Sequence, residues 1–560
     1  MVQAETIEAA ALSVHAVGGQ ITERLPIIRA VAAELTPEQL TRLDGVRVYG
    51  DAKVAVSGRA NRKTSPKKQD SSTYLVTYSE DTASTTETTA TYDGGNPLGQ
   101  AASSHYPTLI GATDLIAAGF DGEGITVAVV DTGIWDWDSK NGIWERILQE
   151  VDTTGSGIKE RRWMDDPNGH GTHVASAIMS NGYRPDAELY EGVAPGASLV
   201  SVKAFDEQGS GSYLSVIKAI GWVVDHADEY GIRVVNLSFS ATPRSHYWDD
   251  PLNQAVMEAW RAGIVVVASA GNSGPDPMTI GVPGNLPYVI TVGAMTDGYT
   301  PRDATDDRLT SFSSTGPTHE GFLKPELVAP GGHVVARMPY YAYIPSLHPD
   351  SMHPNQYHFT MSGTSQAAAM VSGAIALMLE ADPALTPDDV KCRLIASARP
   401  AVDADGLLAY SVFQQGAGVI NVLEAVNSPA TGCANQGLDI AKDLDGTEHY
   451  GGPANQDADG NFYVMDPESN DPAEALDADG FVWSQGFVWS QGFVWSQAYV
   501  WSQGYVWAQA YIWSQGYVWA QGYVWSQAYI WSQSLPWEEQ PAWSDGLSET
   551  ASVNRWVEHE

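Results

Sequence analysis

Three short stretches carry residue types that, brought together, could do chemistry on an acyl group. The apolar run Ile125 to Val130 stops at Asp131-Thr132-Gly133, which sets a carboxylate at the carboxyl end of an expected parallel strand. Open α/β sheets keep their ligand sites there, although an Asp after a strand is also an ordinary turn former. In Asn168-Gly169-His170-Gly171-Thr172-His173-Val174-Ala175-Ser176, glycines flank a histidine at the start of a helical stretch, so that backbone and substrate can approach closely. Two histidines three apart could mark a metal pair, but no Cys or acidic third ligand stands at a zinc spacing. The third stretch, Met361-Ser362-Gly363-Thr364-Ser365, opens the small, apolar run Gln366 to Leu379. A serine there could be a plain cap, or could face an oxyanion that the N–H groups and dipole of a helix N-terminus would stabilise.

Taken in chain order, D-T-G, H-G-T-H-V-A and G-T-S resemble the subtilisin-like serine proteases (subtilases), whose Asp, His, Ser order differs from those of chymotrypsin and the α/β-hydrolases. Further segments fit over roughly Thr108 to Val426: Gly192-Val193-Ala194-Pro195, Val235-Asn236-Leu237-Ser238, Ala270-Gly271-Asn272-Ser273-Gly274, the run Lys324 to Gly331, and Gly416 to Asn421. The resemblance implies a serine endopeptidase acting on proteins or peptides, with no cofactor required for catalysis. A serine hydroxyl is a poor nucleophile until a neighbouring base takes its proton, so His170 would activate Ser365 while Asp131 fixes the imidazole tautomer. Asn272 would donate to the oxyanion together with the Ser365 N–H. Ser238, Phe239, Ser240, Ala270 and Gly271 would border the primary specificity pocket, with Phe239 either an apolar wall or a core residue. His173 reads as structural, since the family's base is the first histidine of its motif.

Two departures bear on substrate contacts. Gln366-Ala367-Ala368-Ala369 stands where the family commonly has Met, Ala, a small residue and Pro, and Ser240 stands at a frequent Gly, where its side chain is expected to crowd an extended substrate. The family's calcium-loop residues are not evident between Ser176 and Gly192. Calcium as a structural ion has a separate candidate in Asn455, Asp457, Asp459 and Asp466, spaced as in an EF-hand loop, but with no flanking helices in the pattern a solvated acidic turn is the competing reading.

The elements that must position these residues follow from periodicity. Between 105 and 428, apolar β-branched runs (Ile125 to Val130, Ile232 to Phe239, Ile264 to Ser269, Val289 to Ala294) alternate with helix-length segments (Tyr213 to Ala227, Leu252 to Ala262, Ser365 to Glu380, Pro387 to Ala398). That alternation predicts an α/β domain, a parallel sheet with helices on both faces. Residues 1–57 predict a small α+β module: a helix over Glu5 to Gly18, a strand-like stretch Gln20 to Leu35, a helix capped by Thr36 and a strand from Val46. This module resembles the inhibitory propeptide of subtilases without its opening strand, which makes the chain's own prodomain an expected inhibitor. A polar linker, 58–104, would hold the processing site.

After an acidic linker at 429–479, residues 480–533 repeat the hexapeptide G/A-Y/F-V/I-W-S/A-Q nine times, and an acidic tail fills 534–560. An even period suits extended strands. The expected segment is β-type, packing on itself or the enzyme, or serving surface attachment or self-association. A binding or adhesion protein acting through these repeats, with a dispensable peptidase domain, is the alternative function.

Thirty basic against 68 acidic residues, a net charge of −38 in 560 residues, set nucleic acid and anionic membranes aside as partners. No apolar run reaches the roughly 18 residues of a membrane span. Only Cys392 and Cys433 occur, so the choice lies between one bridge and two free thiols. Met1 is not followed by a basic-then-apolar leader. With the missing propeptide strand, this suggests a start downstream of the natural one and an exported or cell-surface enzyme; a leaderless cytoplasmic enzyme is the alternative.

Overall fold

The computed structural model describes residues 1–50, 105–135, 143–161, 165–184, 189–298, 306–402, 408–456, 462–464, 476–477 and 550–553. The central sheet runs in the order Arg308–Leu309, Ile290–Thr296, Val265–Ser269, Ile232–Leu237, Thr126–Asp131, Ser198–Lys203, Ile147–Asp152, Lys159–Glu160, and Leu327–Pro330 also pairs with Ile290–Thr296. All pairings are parallel except those of Arg308–Leu309 and Lys159–Glu160. Every residue of Thr126–Asp131, Val265–Ser269 and Ile290–Thr296 is buried. Strands covered on both faces have no solvent side to alternate toward, which is why their sequences read as unbroken apolar runs.

Two helix pairs cover the sheet. His170–Met179 packs on Thr364–Ala381, and Tyr213–Asp225 packs on Pro251–Arg261. Local chemistry starts these helices: Ser212 and Asp250 accept from the first-turn amides of the second pair, and Thr386 closes a capping box on Pro387–Ser397. The two cysteines, left open by the sequence, form a disulfide with Cα atoms 5.3 Å apart, tying that last helix to the chain beyond the α/β domain.

The N-terminal module folds as a helix, Ile7–Ala16, on a sheet ordered Gln20–Leu25, Ala30–Glu34, Val2–Gln3, Arg47–Val48. Two expectations are corrected here. An opening strand is present, since Val2–Gln3 bonds on both sides, and two residues are too short a run to show periodicity. The stretch Gln20 to Leu35 is two strands, parted by a 3-10 turn at Pro26–Ile28 because proline cannot donate to the ladder. The module docks on the Tyr213–Asp225 and Pro251–Arg261 helices, with Gln3 Nε2 donating to Gln254 Oε1 at 2.6 Å and Arg47 paired with Asp249 at 2.9 Å.

A separate three-stranded sheet joins Ser210–Ser212, Thr550–Val553 and Phe239–Ser240, with the distant C-terminal segment in the middle. The linker 58–104 and the repeats at 480–533 lie outside the described residues, as does the acidic tail apart from 550–553.

Candidate active site

The strand Thr126–Asp131 ends by presenting the buried Asp131 carboxylate, and both of its oxygens meet His170 Nδ1, at 2.8 and 2.9 Å. That bond fixes the imidazole as the Nδ1–H tautomer, which leaves Nε2 with its lone pair. Nε2 is buried and has no hydrogen-bond partner among the described residues.

The histidine opens its helix because Gly169 adopts φ +99°, a left-handed conformation that favours glycine; an added Cβ would also sit 2.9 Å from Met338 Cγ. Asp166, which the sequence reading passed over, anchors this turn. Its carboxylate accepts from Thr132 Oγ1, Gly169 N, Thr172 N and Thr172 Oγ1 at 2.7 to 2.9 Å, and burial nonetheless pushes it up from the ordinary value. Thr132 Oγ1 in turn accepts from Gly171 N. The Asp131 strand and the His170 helix are thus held in register by one carboxylate. The legible signal was an acid just ahead of a helix N-terminus.

Ser365 lies in the first turn of Thr364–Ala381, fully buried. Its hydroxyl donates to the Ser238 carbonyl at 3.1 Å, and the Ser238 hydroxyl donates back to the Ser365 carbonyl at 3.1 Å. Asn236 Nδ2 donates to Ser238 Oγ, and Ser372 Oγ to Asn236 Oδ1, which fixes the pair from beneath.

Asn272 is brought to the same helix start. Its Oδ1 accepts from Thr364 N at 3.0 Å and Thr364 Oγ1 at 2.8 Å, so the amide's donor end, Nδ2, points the other way. A Cβ on Gly363 would lie 2.8 Å from Gln366 Oε1 and 3.2 Å from Nδ2, so any larger residue there would crowd the amide. First-turn N–H groups such as that of Ser365 have no intrahelical acceptor, and together with Nδ2 they form a donor pair suited to an oxyanion.

The remaining candidates divide. Ala270 is buried, and Gly271 N donates to Thr364 Oγ1. Phe239 offers its backbone to the cleft-side sheet while its ring is fully buried against Phe205, 5.2 Å between centroids, so its side chain is core. The Ser240 side chain lies over the glycine faces of Gly271 and Gly281, and an extended strand pairs with Ser240 at Ser552. Gln366 is fully buried beside His173 Nδ1 at 3.3 Å, on the inside of the helix. His173 also reaches the Phe359 carbonyl at 3.1 Å, and burial lowers it to about 3, so it is neutral.

No cluster of metal-ligating side chains occurs among the described residues. Asn455 sits in a short strand, Ala454–Gln456, paired antiparallel to Phe462–Val464. Asp457, Asp459 and Asp466 lie outside the described residues.

A family model described as "Subtilase family" matches residues 122–418. The chain is 43% identical over 275 residues to serine protease AprX of Bacillus subtilis, a match covering 48% of this chain and 60% of that protein. It is 33% identical over 316 residues to subtilisin DY of Bacillus licheniformis, covering 56% of this chain and 95% of the relative. Among solved structures it resembles fervidolysin from Fervidobacterium pennivorans at a TM-score of 0.54 and 22% identity, over 76% of this chain and 60% of that one, a likeness of fold.

Proposed function

The chain belongs to the subtilase family, and from that membership we propose that residues 105–428 act as a serine endopeptidase, cutting peptide bonds of protein or peptide substrates. The observation that carries the reading is the bonding of His170: Nδ1 is bound by Asp131, and Nε2 is buried with no hydrogen-bond partner among the described residues. The helix that Ser365 opens packs on the helix that His170 opens, and the reading requires Oγ to leave the Ser238 carbonyl for the Nε2 lone pair; such bonds are often loose before substrate binds.

Attack by Oγ on the scissile carbonyl carbon sends the hydroxyl proton to His170 Nε2 and the carbonyl electron pair onto oxygen, where Asn272 Nδ2 and the Ser365 N–H receive it. Collapse expels the amine, which takes the proton from His170 and leaves an acyl-enzyme on Ser365. Water, deprotonated by the same imidazole, then releases the acid. Asp131 holds the tautomer throughout and stabilises the imidazolium without itself being protonated. Acyl transfer of this kind calls on no metal or organic cofactor, and calcium at the 455–466 segment would be structural.

The N-terminal module would act as an inhibitor and folding partner released by cleavage in 58–104, and the hexapeptide array would serve as a localising or self-associating element; the docking of the module on two outer helices supports the first of these. The Cys392–Cys433 bridge supports residence in an oxidising compartment, hence secretion or the cell surface.

The test is intact-mass analysis after a fluorophosphonate probe, applied to the purified chain and to the chain opened by a trace of exogenous protease. One adduct, lost in Ser365→Ala, is expected. A folded protein that takes no adduct in either state overturns the reading.

A further inference from the structure

Two short edges face each other beside the nucleophile. Ser210–Ser212 leads into the helix Tyr213–Asp225, and Phe239–Ser240 follows Ser238, whose carbonyl holds the Ser365 hydroxyl. Both edges bond to one strand, so they stand two strand spacings apart, about 9.5 Å, and each would otherwise expose an unpaired ladder. Thr550–Val553 fills that slot. It pairs antiparallel on both sides, with Ser552 opposite Ser210 and Ser240, Ala551 opposite Gly211, Thr550 opposite Ser212 and Val553 opposite Phe239.

The direction of the inserted strand matters. Along the inner edge the pairing passes from Ser240 to Phe239 as the tail passes from Ser552 to Val553, so the tail advances toward Ser238 and the Ser365 hydroxyl. An extended peptide lying in this sense presents the residues on the acyl side of a scissile bond to the nucleophile. We propose that the segment Thr550–Val553 is an internal pseudosubstrate: the chain's own C-terminal strand occupies the acyl-side substrate slot and competes with external peptides. This rests on the endopeptidase reading of the same site.

Three further observations support that occupant. The connection 478–549 is long enough, since even an unstructured chain of that length spans roughly 45 Å. Among the described residues, the hydrogen-bonded contacts of the N-terminal module fall on outer helices and loops, at Gln254, Asp249, Leu444 and Gly157, and none of these lies on either edge of the slot. Recognition is by main-chain bonds, as in strand addition generally, so the slot takes any extended peptide and a local copy wins by effective concentration. Linked segments commonly reach the millimolar range, enough to raise the apparent KM of a weakly bound tetrapeptide about tenfold or more.

Two measurements on the full chain decide it. Ser552→Pro removes a ladder donor and distorts the strand. It is expected to lower the apparent KM for a tetrapeptide anilide about tenfold, leaving kcat and the final extent of Ser365 labelling unchanged, with Ser552→Ala behaving as the parent. An unchanged KM in Ser552→Pro, with Ser365 fully labelled, overturns the pseudosubstrate and leaves the endopeptidase reading standing. The second measurement needs no activity. In a Ser365→Ala background, Ser210→Cys with Ser552→Cys should form an intramolecular disulfide, seen by intact mass and peptide mapping. A pair that stays reduced while Cys392–Cys433 remains closed overturns the placement, whatever Ser365 does.

Discussion

Ser238 and Ser365 hold each other through reciprocal bonds, hydroxyl to carbonyl in each direction at 3.1 Å. The proposed nucleophile therefore rests on a backbone carbonyl one residue away from the edge Phe239–Ser240. Ser238→Ala removes one bond of the pair and strands the buried Asn236 amide, which costs about 1–3 kcal/mol. Denaturant unfolding should show that loss, while kcat/KM stays within about tenfold because the Ser238 carbonyl is unchanged.

Asp131→Asn tests the tautomer argument. An amide at that position would hydrogen-bond the wrong imidazole tautomer, and the equivalent change in a serine protease lowers kcat by roughly 10⁴. Anilide hydrolysis by the variant should fall by that order with KM little altered. Activity within tenfold of the parent would remove Asp131 from the mechanism.

Asn272 and Thr364 should separate donor from anchor. Asn272→Ala deletes the proposed oxyanion donor and is expected to cut kcat about 10²–10³-fold, a range measured in a subtilisin and borrowed here. Thr364→Val keeps the amide but removes one of the two bonds on its Oδ1, so a smaller loss, on the order of tenfold, is expected. Equal losses in the two variants would mean that Asn272 acts only by holding Thr364.

Glu191 gives the fold an acid limit. Its carboxylate meets Arg337 twice at 2.8 Å and His358 Nε2 at 3.0 Å. Burial raises the carboxyl, but the His358 and Arg337 partners outweigh it and hold the group at about 2, below the ordinary 4.5. A carboxyl depressed on folding lends stability that is complete above its unfolded pKa and is lost as the pH falls toward the folded one. Glu191→Gln should therefore cost about 3 kcal/mol at neutral pH, with the gap to the parent closing between pH 4.5 and 2. A difference that persists undiminished at the acid end would show that packing, not charge, is at stake.

The Cys392–Cys433 bridge lies away from the triad, so Cys433→Ser should act on stability alone. Closing a loop of this length is worth about 2–4 kcal/mol. A lowered melting temperature with parental kcat below the transition is expected; a parental melting temperature would mean the bridge contributes nothing.

The sequence alone determined the residues and the elements carrying them. Strand runs near 125, 232, 264 and 289 and helices near 213, 252, 365 and 387 were legible because burial on both faces leaves unbroken apolar runs, and because caps such as Thr386 are local chemistry. Asp131, His170, Asn272 and Ser365 stood out as candidates because each stands in a short glycine-containing motif.

Only the tertiary structure decided what depends on partners distant in the chain. Asp166 bonding Thr132, the Gln366 side chain turned inward to His173, the Phe239 ring in the core and Ser240 lying over two glycines are contacts between segments tens to hundreds of residues apart. Periodicity reports which face of an element is buried, not what covers it. The same limit applies most sharply to Thr550–Val553: four residues carry no pattern of their own, and their place between Ser210–Ser212 and Phe239–Ser240 exists only because two edges, folded from elsewhere in the chain, stand one strand apart.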